Sequence, residues 1–220
     1  MNAAFRKELP IIGIVLMPFV YLTFIWNTLP NKVPTHWNFK GEVDHWGDKH
    51  SLIGLLFMLP VLMYVLLLLA PKIDPKKRIA LMGGKFYQLK FFMVLLMSLL
   101  ALFFIYITKN QTFSSPNLIY VLVGILLMAL GNYFKVIQPN YFIGIRTPWT
   151  LESHEVWKAT HAFAGKLWFI GGLIIVLGGL IFPGFTFAKA FVSIGVTLAF
   201  VPIIYSYFKF KNLEKKEEIL

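Results

Sequence analysis

The chain contains no cysteine, which excludes disulfide bridges, thiol nucleophiles and cysteine-ligated metals. Charge is also scarce. Only 14% of the 220 residues are charged and only 10 are acidic, whereas soluble domains carry roughly a quarter charged residues. A small-x-small cleavage site is missing after the first apolar run, where Asn27-Thr28-Leu29-Pro30 stands instead, so that run reads as a retained helix and not a cleaved signal. No internal repeat is found, which argues against an inverted-repeat transporter.

What the chain has in quantity is apolar sequence: 58% of residues, with a mean hydropathy of +0.70. Its uninterrupted runs are each long enough to cross ~30 Å of hydrocarbon, more than a single soluble core of this length could hide. They extend over residues 9–29, 51–69, 91–107, 118–134, 165–182 and 187–208. The expected fold is therefore an all-α polytopic membrane bundle of six transmembrane helices. The runs are nearly free of charge, as they must be when one charged group at the bilayer centre costs about 2.5–3.5 kcal/mol.

An even number of spans puts both termini on one side. With the termini in the cytoplasm, only Lys32, Lys40, Lys49, Lys109 and Lys189 of the 21 basic residues fall outside, and this bias sets the orientation. The net charge of +11 thus reflects topology, because the basic residues flank apolar runs and form no separate nucleic-acid-binding domain. The chain divides into a two-span unit, 1–90, with an extracytoplasmic loop at 30–50, and a four-span unit, 91–220, with a cytoplasmic segment at 131–166. Pro10, Pro18, Pro60 and Pro202 lie in or beside apolar runs and each removes a helical hydrogen bond. Gly171, Gly172, Gly178 and Gly179 suit close helix contact on the fifth run.

The outer loop balances lysines against acids and carries two tryptophans. His36, Trp37, Asn38, Gly41, Asp44, Trp46 and Gly47 are its candidate binding residues. The indoles serve either as interfacial anchors or as an aromatic surface for a ligand. His36, His45, His50, Glu42, Asp44 and Asp48 have metal-binding side chains, but their spacing matches no defined ligand motif, so no metal or other cofactor is expected.

In the inner segment, Pro139-Asn140 signals a turn and Gly144 relaxes the backbone before Arg146. Thr147 followed by Pro148 starts a helix, the hydroxyl capping free amides and proline taking the first helical position. Trp149, Val156, Trp157, Thr160 and Ala164 then recur at helical spacing. That pattern predicts an amphipathic helix lying along the membrane face before the fifth span. Arg146 is either a phosphate-binding snorkel or an anchor for this turn through carbonyls or a carboxylate. His161 shares a helix face with Trp157 and reads as a packed side chain.

The stretch GNYFKVIQPNYFIGIRTPWTLESHEVWKATHAFAGKLW resembles the signature region of the SdpI family of bacterial membrane proteins. The resemblance rests on the order of Asn140, Gly144, Ile145, Arg146, Thr147, Pro148, Trp149, Thr150 and Trp157. It brings Asn132, Pro139 and His161 into the candidate set. The loop PTHWNFKGEVDHWGDK is similar to a small domain of unknown function found at the start of longer members. The resemblance implies a non-enzymatic protein of the bacterial cytoplasmic membrane that protects its cell against a secreted, membrane-active toxic peptide. In the archetype of the family, it also implies sequestration of a small transcriptional repressor at the membrane. The implied partners are membrane lipid, the peptide outside and the repressor inside, with no direct contact to nucleic acid. A small transporter or an intramembrane enzyme is the alternative from another class. It would need ionisable or paired catalytic groups in mid-span, for which Asn132 and His161 are thin material.

Overall fold

The computed structural model describes residues 3–38, 43–75, 77–110 and 117–217. Helix α1 covers Ala3–Ile25 and tightens into a 3-10 turn at Trp26–Thr28. Strands β1 (Lys32–Trp37) and β2 (Val43–Asp48) follow. Then come α2 (Ser51–Ile73), the four-residue α3 (Arg78–Leu81), α4 (Gly84–Asn110) and α5 (Asn117–Phe134). The short α6 (Pro148–Glu152), α7 (His154–Ile181) and α8 (Ala188–Glu217) complete the order. Six of these helices, α1, α2, α4, α5, α7 and α8, are long and apolar enough to cross a membrane, matching the six runs in the sequence. Large apolar side chains cover their outer surfaces, with Phe24 82% and Leu180 67% exposed, as expected of a surface solvated by lipid rather than water.

The strands lie at one end of the bundle and residues 135–153 at the other; these are the hairpin end and the cap end. By packing, the spans sort into α1, α2 and α4, and α5, α7 and α8. The sequence division after residue 90 runs through α4. In the first group, Leu22, Ile25, Leu52, Leu56, Ala101 and Ile105 bury together with Val33, so the root of the hairpin is part of the core. A π-helical turn, Phe57–Val61, interrupts α2 at Pro60, whose missing N–H leaves the regular i−4 bond unmade. Toward the cap end, Lys90 Nζ lies 2.5 Å from Glu8 Oε1, both side chains largely buried, and the Tyr64 hydroxyl donates to Glu8 Oε2 at 3.2 Å. A buried charge is tolerated when it is paired and hydrogen-bonded in this way.

The second group is organised by glycine. Gly124 and Gly131 on α5 face Gly172 and Gly165 on the antiparallel α7, and Gly179 meets Tyr120 and Asn117. A Cβ at Gly165 would stand 2.6 Å from the Gly131 carbonyl oxygen, and one at Gly172 the same distance from that of Gly124. Backbone therefore touches backbone along a seven-residue repeat, the contact that small residues permit in lipid. Gly171 and Gly178 point instead to α8 and the turn before it, where Leu198 and Phe187 fill the space. Asn117 locks the far end, its Nδ2 donating to the carbonyls of Gly179 (2.6 Å) and Phe182 (3.0 Å) while its Oδ1 accepts from Gly184 N at 3.0 Å.

Pro202 sits inside α8 and cannot donate to the Leu198 carbonyl. The indole N–H of Trp168 does so from α7, at 2.8 Å. Removing that donor with Trp168→Phe should cost about 1–3 kcal/mol, the penalty of an unpaired carbonyl. In a Pro202→Ala background, residue 202 regains its N–H and the same change should cost far less. A double-mutant cycle on unfolding in mixed micelles measures this coupling, and additive effects would disprove it.

Two features depart from the sequence expectations. Within the outer segment, Lys32–Trp37 and Val43–Asp48 are strands: β1 and β2 pair antiparallel, Lys32 opposite Asp48, Val33 opposite Gly47 and Pro34 opposite Trp46, with irregular register around Thr35 and His36. The amphipathic helix along the membrane face is also corrected. Only α6 precedes the fifth span as a separate helix, because Ser153 adopts extended backbone and caps Val156 N, so α7 begins at His154. Val156, Trp157, Thr160 and Ala164 are the buried face of that continuous helix.

Candidate functional site

Two regions carry chemistry outside the apolar spans. At the hairpin end, Val33 of β1 turns into the core, while Lys32, Thr35 and His36 stay exposed. His36 Nδ1 and Asp44 Oδ1 are 2.6 Å apart across the strands, and the Thr35 hydroxyl donates to the His45 carbonyl at 3.3 Å. Trp46 is 57% exposed on β2. Trp37 ends β1 opposite Val43, and Asn38 follows it, half-buried. Gly47 packs closely across the strands: a Cβ there would fall 2.7 Å from Thr35 Cγ2, whose side chain would have to shift. Gly41 lies outside the described residues. His36 with Asp44, and His50 with Asp48, form separate pairs, and among the described residues no three metal-binding side chains converge.

The base of the hairpin is tied to α2. His50 N donates to Asp48 Oδ1 at 2.8 Å, the His50 ring contacts the same oxygen, and Ser51 Oγ donates to the Asp48 carbonyl at 2.6 Å. Lys49 Nζ sits 5.0 Å from the Trp26 ring centroid. The backbone bond from His50, then its ring, hold the Asp48 carboxyl below its ordinary value of 3.8. A lowered carboxyl stabilises above its unfolded value and ceases to as the solution falls through the folded one. The His50 amide should therefore stay protected from hydrogen exchange at neutral pH and lose protection only below pH 3.8. Asp48→Asn should blunt that pH dependence.

At the cap end, most of the signature residues face inward. Asn140, 1% exposed, ties its own turn: Oδ1 accepts from Phe142 N (2.8 Å) and Ile143 N (2.7 Å), and Nδ2 donates to the carbonyls of Gln138 (2.8 Å) and Ile143 (3.0 Å). Buried Pro139 offers its carbonyl to Arg78 Nη1 at 3.2 Å, joining α3 to the cap. His161 links the turn to α7: Nδ1 donates to the Trp157 carbonyl (2.8 Å) and Nε2 accepts from Ile145 N (3.0 Å). These partners define a single tautomer, with the proton on Nδ1. Trp157 stacks on the His161 ring, centroids 4.0 Å apart, and its indole donates to the Ile137 carbonyl at 2.8 Å. Gly144 adopts φ +112°, and a Cβ there would strike His161 Nε2.

Thr147 caps α6 in a reciprocal box. Its hydroxyl accepts from Thr150 N at 3.3 Å, and Thr150 Oγ1 accepts from Thr147 N at 2.8 Å, with Pro148 at the first helical position. The Thr150 hydroxyl also contacts the Ile145 carbonyl at 2.9 Å. Trp149 donates to Ser206 Oγ on α8, which donates in turn to the Ile203 carbonyl at 2.6 Å. Arg146 donates to the Tyr141 carbonyl across the turn while remaining exposed, which is the carbonyl-anchoring geometry open to it from the sequence. Pro139, Asn140, Thr147, Thr150, Trp157 and His161 thus build the cap. Tyr141 (43% exposed), Phe142 (36%), Arg146 and Pro148 form its outer face. Asn132 lies apart, exposed on α5.

Sequence reasoning missed several residues that hold these regions in place. Gly124 with Gly131, and Gly165 with Gly172 and Gly179, were legible as seven-residue spacings of glycine on two separate runs, and Trp168 as an indole lacking an obvious acceptor. Glu8, Asn117 and Ser206 gave no signal of their own, since their partners lie 82, 62 and 57 positions away respectively.

Comparison with known proteins gives a family match over each end of the bundle. Residues 135–206 match the SdpI/YfhL protein family, and residues 13–64 match a domain of unknown function, DUF1648, which brackets the hairpin. The chain is 28% identical over 180 residues to the immunity protein SdpI of Bacillus subtilis (strain 168), covering 78% of this chain and 81% of that one. No solved structure gives a significant match.

Proposed function

From the match of residues 135–206 to the SdpI/YfhL protein family, we propose that the chain is a member of that family and a multi-pass immunity protein of the bacterial cytoplasmic membrane. It protects its cell against a secreted, membrane-active peptide by binding it, without catalysis. The observation that carries this reading is likeness to an immunity protein along most of both chains. The basic bias of the loops puts both termini and the cap in the cytoplasm and the hairpin outside, where a secreted peptide arrives.

The hairpin suits that task physically. In a two-stranded sheet each strand keeps one unpaired edge, so an extended peptide can add as a third strand through main-chain hydrogen bonds. Exposed Trp46 supplies an apolar anchor beside that edge. Deleting the gene should sensitise cells to the cognate peptide. Trp46→Ala, at unchanged protein level, should lower the inhibitory concentration about thirtyfold, the equivalent of losing a ~2 kcal/mol tryptophan contact. Unchanged killing curves for both strains would refute the reading.

The outer face of the cap favours a second role, retention of a small transcriptional repressor. Tyr141, Phe142 and Arg146 stand on a frame locked from within. Coupling requires the peptide to prefer one of two arrangements of the bundle. Arg146→Glu with Tyr141→Ala should abolish repressor retention and leave immunity intact. Failure to recover any regulator with wild-type protein, with or without peptide, would remove this arm.

A further inference from the structure

The glycine contact between α5 and α7 leaves a cleft at the cap end, and nothing in the immunity reading uses it. Gly131 and Gly165 pinch the two backbones together at its floor, and because neither has a side chain the groove above them stays open. Phe169 and Ile170, 42% and 56% exposed, form an apolar wall, while Asn132, Lys135 and Lys166 stand around the mouth. The volume is about 440 Å³, within the span of small-molecule sites. α5 ends at Phe134, one residue before Lys135, and Lys166 follows the Gly165 contact on α7, so both cations stand within about a turn of the point where Gly131 meets Gly165. Among the described residues neither lysine forms an ion pair, although Lys90 and Lys209 do.

An apolar wall beneath two unpaired cations at the edge of a membrane span is complementary to an amphiphile with a negative head. We propose that this cleft binds an anionic phospholipid, one acyl chain lying along Phe169 and Ile170 and the phosphate held by Lys135, Lys166 and the Asn132 amide. Basic pockets between transmembrane helices recognise lipid headgroups in this way. The geometry commits to a lipid rather than a free phosphate, because the apolar wall is idle with the anion alone.

Full-length protein in neutral detergent, titrated with phosphatidylglycerol or phosphatidylcholine of equal chain length and read by native mass spectrometry, tests the site. Phosphatidylglycerol should be retained in preference to phosphatidylcholine. Lys135→Gln with Lys166→Gln should weaken that retention by about fivefold per lysine. The control pair Lys85→Gln with Lys158→Gln removes the same charge from the same end and should leave retention unchanged. Ile170→Gln should weaken retention of phosphatidylglycerol while keeping both cations. Inorganic phosphate should not displace the lipid at millimolar concentration. Equal retention of the two lipids, equal losses in the test and control pairs, or displacement by phosphate alone would each overturn the assignment. Killing assays do not enter, so the lipid site and the immunity reading stand or fall separately.

Discussion

Gly131→Leu or Gly172→Leu is expected to abolish accumulation of folded protein. At Gly131 the added Cβ would meet Gly165 O and Phe169 N, each at 2.7 Å; at Gly172 it would meet Gly124 O at 2.6 Å and Met128 N at 2.8 Å. These neighbours are backbone atoms on the partner helix and cannot rotate aside, so α5 and α7 must separate. Overpacking of a yielding core costs about 1–3 kcal/mol, and an unyielding seam costs more. In lipid no hydrophobic effect drives the helices back together, since acyl chains solvate leucine as well as protein does. Gly13→Leu and Gly195→Leu are the matched controls, because nothing lies within 4 Å of a Cβ at either position. Size-exclusion profiles of detergent extracts should show a monodisperse peak for the controls and none for the seam variants. A normal peak for Gly172→Leu would mean that the two helices do not meet as described.

The second large effect belongs to Gly144 and His161. Gly144→Ala faces two penalties, a left-handed φ that a side chain resists and a Cβ driven into the His161 ring. His161→Leu removes the acceptor for the part-buried Ile145 N–H and leaves it without that partner, a loss of about 1 kcal/mol before packing is counted. His161→Gln keeps an acceptor oxygen and should recover part of it. Because the clash and the hydrogen bond meet on one nitrogen, Gly144→Ala should cost less with alanine at 161 than with histidine. The unfolding midpoints of the two single variants and the double variant decide this, and strict additivity would show that the residues do not touch.

The spans were legible because a membrane helix declares itself through local composition: each of the six runs lies on one of the six long helices, with ends differing by a few turns at most. The largest error of this kind was at the fifth span. There the sequence from Val156 to Ala164 is amphipathic because one face packs against the cap, and that pattern is shared by a helix resting on a membrane. The hairpin was hidden for a different reason. Val33, Thr35 and Trp37 alternate as a strand should, but the run is short, contains Pro34 and is flanked by polar residues that read as loop. In the cap, Asn140, Gly144 and the Thr147-Pro148 start were readable, since turn and capping chemistry is encoded within a few residues. The bonds from His161 to Ile145, from Trp149 to Ser206 and from Arg78 to Pro139 were not, because each joins segments that only the folded bundle brings together.

The hydrogen bonds of the cap also imply an order of assembly. Asn140 satisfies its turn with groups between residues 138 and 143, all of which leave the ribosome together. The Ile137 carbonyl and the Ile145 N–H must wait for Trp157 and His161, and Trp149 waits for Ser206 near the end of the chain. A nascent chain halted after the fourth span therefore carries a preformed turn with two unpaired backbone groups. Only when the fifth and sixth spans have been threaded does that turn gain its bonds to His161, Trp157 and Ser206.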